Sequence, residues 1–165
     1  MAHSGIKFGG IFHTECFREG QKLWEDHSPN EVVNQGRQYL LNTGFSGSTA
    51  VTTWYVGITR GEPTSASTDC PTSHAGWTEA TECTEAARVE WVEVRSSCTL
   101  SNSASKASYT INASITIGGA FLISDANKAS ETGSLMCIAS FTGGDQACQS
   151  ADVLQITYEF GATDN

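Results

Sequence analysis

The sequence predicts a mainly β protein: an antiparallel, jelly-roll-like β-sandwich with one short helix and an N-terminal β-hairpin arm. Three observations carry this. Runs rich in Val, Ile, Thr, Tyr, Phe and Trp recur along the chain between Gly, Pro, Ser and Asn turn signals, as in all-β sandwiches and barrels. Only one segment has a helical apolar spacing. Gly, Ser, Thr, Ala and Asn are abundant, and 16% of the 165 residues are charged, against about 25% in ordinary globular chains.

Taken in order, residues 5–17 read as a strand with a Gly9-Gly10 interruption suited to a bend. Arg18-Glu19-Gly20-Gln21 is a turn, and residues 22–27 return as a second strand, making a hairpin with aromatics on both arms. Residues 30–42 predict the helix: Asn30 as cap, Val33, Tyr39, Leu40 and Leu41 as its apolar side, Gly44 as stop. Gly36 inside it costs about 1 kcal/mol relative to Ala. Residues 51–58 are dense in β-branched and aromatic residues, as in a strand buried on both faces. Residues 61–76 form a Gly/Pro/Ser/Thr-rich loop, and residues 88–94 a further strand. Residues 109–117 alternate, with Tyr109, Ile111, Ala113, Ile115 and Ile117 on one face, which predicts a single strand of well-specified register. Residues 135–141 and 153–160 complete the strands, the last with Leu154, Ile156, Tyr158 and Phe160 on one face. Residues 99–108 and 124–133 read as polar connections.

The length is that of one domain. Nine Lys and Arg stand against 18 Asp and Glu, a formal charge of −9, and the cations are scattered singly. Phosphate contact needs clustered cations, so nucleic-acid partners are excluded, as is an electrostatically held membrane surface. No apolar run is long enough to span a bilayer. The start, Met-Ala-His-Ser-Gly-Ile-Lys, lacks the pattern of a signal peptide, which predicts synthesis in the cytoplasm. Low charge also suits a protein that lies against another, because interface cores are depleted in charge.

Chemistry-bearing residues are few. Six cysteines, Cys16, Cys70, Cys83, Cys98, Cys137 and Cys148, allow three disulfides in 15 connectivities, which the sequence leaves open. In a reducing compartment most would be small buried hydrophobes. Cys70, His74 and Cys83 give one metal-like spacing where zinc sites show two close pairs, so no metal is expected. Of the histidines, His3 lies in the terminus, His27 at a strand end and His74 in the long loop. His13 and Glu15 share a strand face, read as a solvated face. Cys and His residues offer no supported nucleophilic pair, and Glu79, Glu82, Glu85, Glu90 and Glu93 read as an acidic surface rather than paired acid and base. No phosphate-binding, zinc-protease or nucleophile-elbow motif is present. Catalytic, cofactor and metal residues are therefore predicted to be none. Asn112-Ala113-Ser114 matches a glycosylation sequon within a strand and is discounted. Trp54, Trp77 and Trp91 are read as core and interface residues rather than a sugar-stacking face.

Several stretches together resemble a family. They are Phe12-His13-Thr14-Glu15-Cys16 with Leu23-Trp24, Asn30-Glu31-Val32-Val33-Asn34-Gln35-Gly36, Thr53-Trp54-Tyr55-Val56-Gly57-Ile58 and Ser73-His74-Ala75-Gly76-Trp77-Thr78-Glu79. Ser101-Asn102-Ser103-Ala104-Ser105-Lys106-Ala107, Ile111-Asn112-Ala113, Gly119-Ala120-Phe121-Leu122 and Val153-Leu154-Gln155-Ile156-Thr157-Tyr158 follow. In this order, over residues 6–160, the chain resembles small structural proteins of tailed bacteriophages. Cys83, Cys98 and Cys148 depart from that family's pattern. The resemblance implies a virion component without enzymatic activity, a capsid decoration or cement protein on the outer capsid surface, made in the host cytoplasm. Its implied partners are the major capsid protein and further copies of itself, as dimer or trimer. Residues 1–30 would then be a docking arm, with Phe8, Phe12, Phe17 and Trp24 as its exposed aromatics, and residues 31–165 the sandwich domain. The alternative is a tail-fibre or receptor-binding module that recognises a host glycan through loops 61–76 and 124–133.

Overall fold

The computed structural model describes residues 5–164; His3 lies outside them. Residues 5–17 and 22–27 do form a hairpin, β1 (Ile6–Arg18) and β2 (Gln21–Pro29). Glu19 (φ +50°) and Gly20 (φ +78°) join them, both in the left-handed region, as in a two-residue type I′ turn whose twist matches the strands. The chain continues through β3 (Glu31–Val32), α1 (Asn34–Phe45), β4 (Tyr55–Arg60), β5 (Val89–Glu90), β6 (Val94–Ser96) and β7 (Thr99–Ser101). It ends with β8 (Ala107–Thr110), β9 (Ile115–Ile123), β10 (Leu135–Ser140), β11 (Gln146–Cys148) and β12 (Val153–Asp164).

The strands make two antiparallel sheets. Sheet A runs β2-β1-β12-β7-β6, with β8 also paired to β12; sheet B runs β3-β10-β9-β4-β5, with β11 on β9. Their inner faces share one core. Phe12, Cys16, Leu154, Ile156 and Tyr158 come from sheet A, and Val56, Ile58, Leu122, Cys137 and Ala139 from sheet B. Phe12 and Tyr158 are cross-strand partners with rings stacked 4.0 Å apart, and the Cys137 thiol donates to the Tyr158 hydroxyl across the sandwich at 3.1 Å. The fold is thus mainly β, two packed antiparallel sheets with one helix, as the sequence predicts.

The outer face of sheet B is also buried. Phe121, Ile123, Leu135 and Ile138 pack under Trp77 and Val33. A strand covered on both faces shows no alternation, which is why β9 and β10 are near-continuous apolar runs. Between β7 and β8 the sheet A ladder is interrupted, and the buried Asn102 side chain fills the gap. Its amide donates to the Ile156 carbonyl (3.1 Å) and its oxygen accepts from the Tyr158 N–H (2.7 Å), replacing strand hydrogen bonds on β12.

Several expectations need correction. Of the arm expected over residues 1–30, the described part is not separate from the sandwich expected over 31–165. β1 is an interior strand of sheet A, in register with β12 from Ile6↔Asp164 to Phe17↔Val153. The helix is shifted: Glu31 and Val32 pair with β10, and Val33 is the N-cap without a side-chain cap bond. The Asn30 side chain instead accepts from the Gly10 N–H, and Gly44 lies inside the helix. Residues 109–117 are not one strand. β8 belongs to sheet A and β9 to sheet B, with the crossing at 111–114 and Ala113 exposed. Residues 88–94 are divided in the same way between β5 and β6. The strand expected over 51–58 begins only at Tyr55.

Gly36 is the buried contact point of α1. A Cβ there would collide with the carbonyl oxygen of Met136 on β10. Gly36→Ala therefore should reverse the usual helix preference of about 1 kcal/mol for Ala. We expect a net loss of about 1–3 kcal/mol from overpacking, read as a lower urea midpoint.

Candidate functional site

A partly enclosed concavity lies where loops 61–76 and 124–133 meet on sheet B. It holds about 180 Å³ between Pro71, His74, Trp77, Arg88, Phe121 and Leu135, with Glu79 and Ser130 at its wall. Trp77 forms the floor. Its ring packs on Phe121 at 5.0 Å, and its indole N–H donates to buried Asp69 at 2.9 Å. Asp69 also accepts from the Ala66 N–H, closing the local turn. His74 stacks on Trp77 at 4.1 Å, with Nδ1 3.0 Å from the Trp77 carbonyl. A carbonyl only accepts, so Nδ1 carries a hydrogen and donates it.

Glu79 and Arg88 form a bidentate pair (2.9 and 2.8 Å) whose side chains are 8% and 3% exposed. The guanidinium also donates to the Asp125 carbonyl at 2.8 Å and lies 5.5 Å from the Phe121 ring centroid. The Ala129 N–H donates to Glu79. Glu79 is therefore held as the counter-ion of Arg88, with three donors on its two oxygens. Asp125 organises the second loop by accepting from the Thr132 and Ser130 hydroxyls and the Asn127 N–H. These bonds, Thr132 first, hold its carboxyl at about 2, below its ordinary 3.8. A depressed folded value contributes stability above the unfolded value and loses it as pH falls from about 3.8 through 2. The gap in urea midpoint between wild type and Asp125→Asn should be full at pH 5 and close towards pH 2.

The four aromatics expected to dock do not form one exposed patch: Phe8, Phe12 and Trp24 share a face but differ in burial, and Phe17 lies off that face. Phe12 is fully buried, and it is a core residue. Trp24, opposite Cys16, is half-buried against Phe141 at 5.8 Å. Phe17 is half-buried and lies at an odd step from Phe12, beyond the β-bulge at Cys16/Phe17. Phe8 alone is exposed, at 38%, over Phe160. Ile6, 69% exposed, accompanies it and went unnoticed because it is not aromatic.

Trp54, Trp77 and Trp91 are all buried, as expected of core residues. Cys70, His74 and Cys83 have separate partners: the Thr72 hydroxyl, the Trp77 carbonyl and the Lys128 ammonium. Glu82 pairs with Arg60 and Glu85 accepts from the Thr110 N–H, so the acidic series offers no convergent pair at these positions. All six cysteines are unbridged; Cys98 is exposed, and burial pushes the Cys137 thiol up to about 12. Spacing could not show that Cys16 and Cys148 face each other between the two sheets, with Asp152 beside them within 4.8 Å. The Cys16 thiol, then burial, pushes Cys148 up. Asp152 is already bound to Arg18 through both oxygens (2.7 and 2.9 Å) and accepts from the Gln149 N–H, which leaves little for a metal.

No helix among the described residues is long and apolar enough to cross a membrane. No known family model and no curated protein matches the chain.

Proposed function

We propose that this chain is a bacteriophage virion structural protein, a capsid decoration protein that binds the outside of the major capsid lattice and stabilises the head. In this reading its sandwich is jelly-roll-like and it assembles with further copies of itself. The observation that carries the docking part is the end of the β1–β12 ribbon. β2 pairs with β1 only from Ile11 onward, so residues 6–9 pair with β12 alone and keep a free edge. Exposed Ile6 and Phe8 sit on that stretch. A free strand edge beside apolar side chains suits addition of a strand from a partner. Weak sites of this kind sum over a symmetric lattice through multivalency. The resemblance across residues 6–160 and the low surface charge support the same reading.

Cryo-EM of particles from the source lysate tests it. Density for this chain on the outer shell is the expected result, and its absence from the shell overturns the reading. Deleting residues 1–28 would remove an interior strand, so the docking test is Ile6→Ser with Phe8→Ser. The double variant should fold normally and no longer co-sediment with the particles.

A second reading has one observation in its favour: loops 61–76 and 124–133 converge on the His74–Trp77 cleft. A host-glycan-binding module would use that cleft, and glycan-array binding abolished by His74→Ala would support it. Its volume is below the roughly 300 Å³ usual for ligand pockets, which favours the structural role.

A further inference from the structure

The outer face of the β1–β2 hairpin carries a second constellation, independent of the docking reading. His13 and His27 are direct cross-strand partners, and Glu25 precedes His27 by two residues on the same face. The imidazole rings stack 4.0 Å apart and 13° from parallel. His13 Nε2 lies 3.3 Å from Glu25 Oε2, and one ligand atom from each of the three residues falls within 4.8 Å of the others. We propose that His13, Glu25 and His27 bind one Zn²⁺ ion, with a fourth position open on the outer face of sheet A.

The spacing fits the ion once the two imidazoles rotate out of their stack so that one nitrogen of each converges on it. Two tetrahedral ligands at about 2.05 Å from zinc stand roughly 3.3 Å apart, which is the His13–Glu25 separation. Two imidazoles and a carboxylate form an open-site zinc set, whereas Ca²⁺ and Mg²⁺ call for oxygen ligands. β1 is held between β2 and β12, so the backbone that carries His13 is fixed beside that of its cross-strand partner His27, and only side-chain rotation is needed. His13 and His27 also line a groove of about 500 Å³, shared with Val94, Thr99, Thr157 and Glu159, which has room for water or a partner's side chain. Lys22 now occupies the Glu25 carboxylate, with Nζ at 2.6 Å. Zinc must displace it, and Glu15, 3.7 Å from the same ammonium, is placed to receive it.

Isothermal titration of the full chain with ZnCl₂ tests the site. One equivalent should bind, and His13→Ala with His27→Ala should weaken binding by at least about 100-fold. Lys22→Ala should tighten it several-fold by freeing Glu25, a gain that misfolding cannot produce. No stoichiometric binding by the wild type overturns the proposal. So does wild-type affinity in the double-His variant, which would move the zinc to Cys16 and Cys148. An unchanged affinity in Lys22→Ala overturns it too, because Glu25 would then be no ligand.

Discussion

Arg88→Ala should destabilise the protein by about 3–5 kcal/mol, the usual cost of removing one partner from a buried ion pair. The variant leaves the Glu79 carboxylate desolvated, with the Ala129 N–H as its remaining donor. It also releases the Asp125 carbonyl, which ties loop 124–133 to sheet B, and strips the cation from the face of Phe121. Urea unfolding followed by tryptophan fluorescence reads the loss directly. The control is Arg88→Met with Glu79→Leu, which removes both charges and keeps the volume. That double variant should recover most of the stability, since a matched apolar pair in a buried site is often neutral or better. A double variant as unstable as the single one would mean that packing, not the uncompensated charge, sets the cost.

Phe12→Ala should cost about 3–5 kcal/mol, the range for emptying a buried aromatic site. The ring is fully buried and stacks on Tyr158, whose hydroxyl meets Cys137 of the opposite sheet. Phe8→Ala, four residues away on the same strand face, should change stability by under about 1 kcal/mol. Particle binding should respond in the opposite order, with Phe8 carrying the effect once folding is accounted for. Thermal melts and co-sedimentation on the same two proteins give both readouts. Equal destabilisation by the two would place Phe8 in the core and remove it from the docking edge.

The fold class was readable because β-branched and aromatic runs with turn residues between them leave few options. The hairpin was readable for the same reason, helped by Gly20 at a position that needs positive φ. Strand boundaries were lost wherever the chain changes sheets. Tyr109 to Ile117 keeps its alternation through a crossover, since Tyr109, Ile111, Ile115 and Ile117 are buried in both sheets while Ala113 merely completes the pattern in solvent. The helix start was misplaced because Asn30 looks like a cap, yet its side chain serves Gly10 on β1. Composition could not separate Phe8 from Phe12, because burial depends on whether β2 and the opposite sheet reach that far. Glu25 and His27 were invisible as partners of His13, since cross-strand register brings together residues 12 and 14 positions apart.

The pairing of β1 with β12 also governs when the protein can become a protein. Thr14 sits beside Ile156 and Phe12 beside Tyr158, so the central seam of sheet A joins segments far apart in the sequence. During synthesis the β1–β2 hairpin waits with an unsatisfied edge and an uncovered Phe12–Cys16 face until residues beyond 153 emerge. Such long-range closure makes folding slow and leaves an aggregation-prone interval. Productive folding therefore waits on β12, and overproduction at lower temperature or with a chaperone should raise the soluble fraction more than any change on the finished surface.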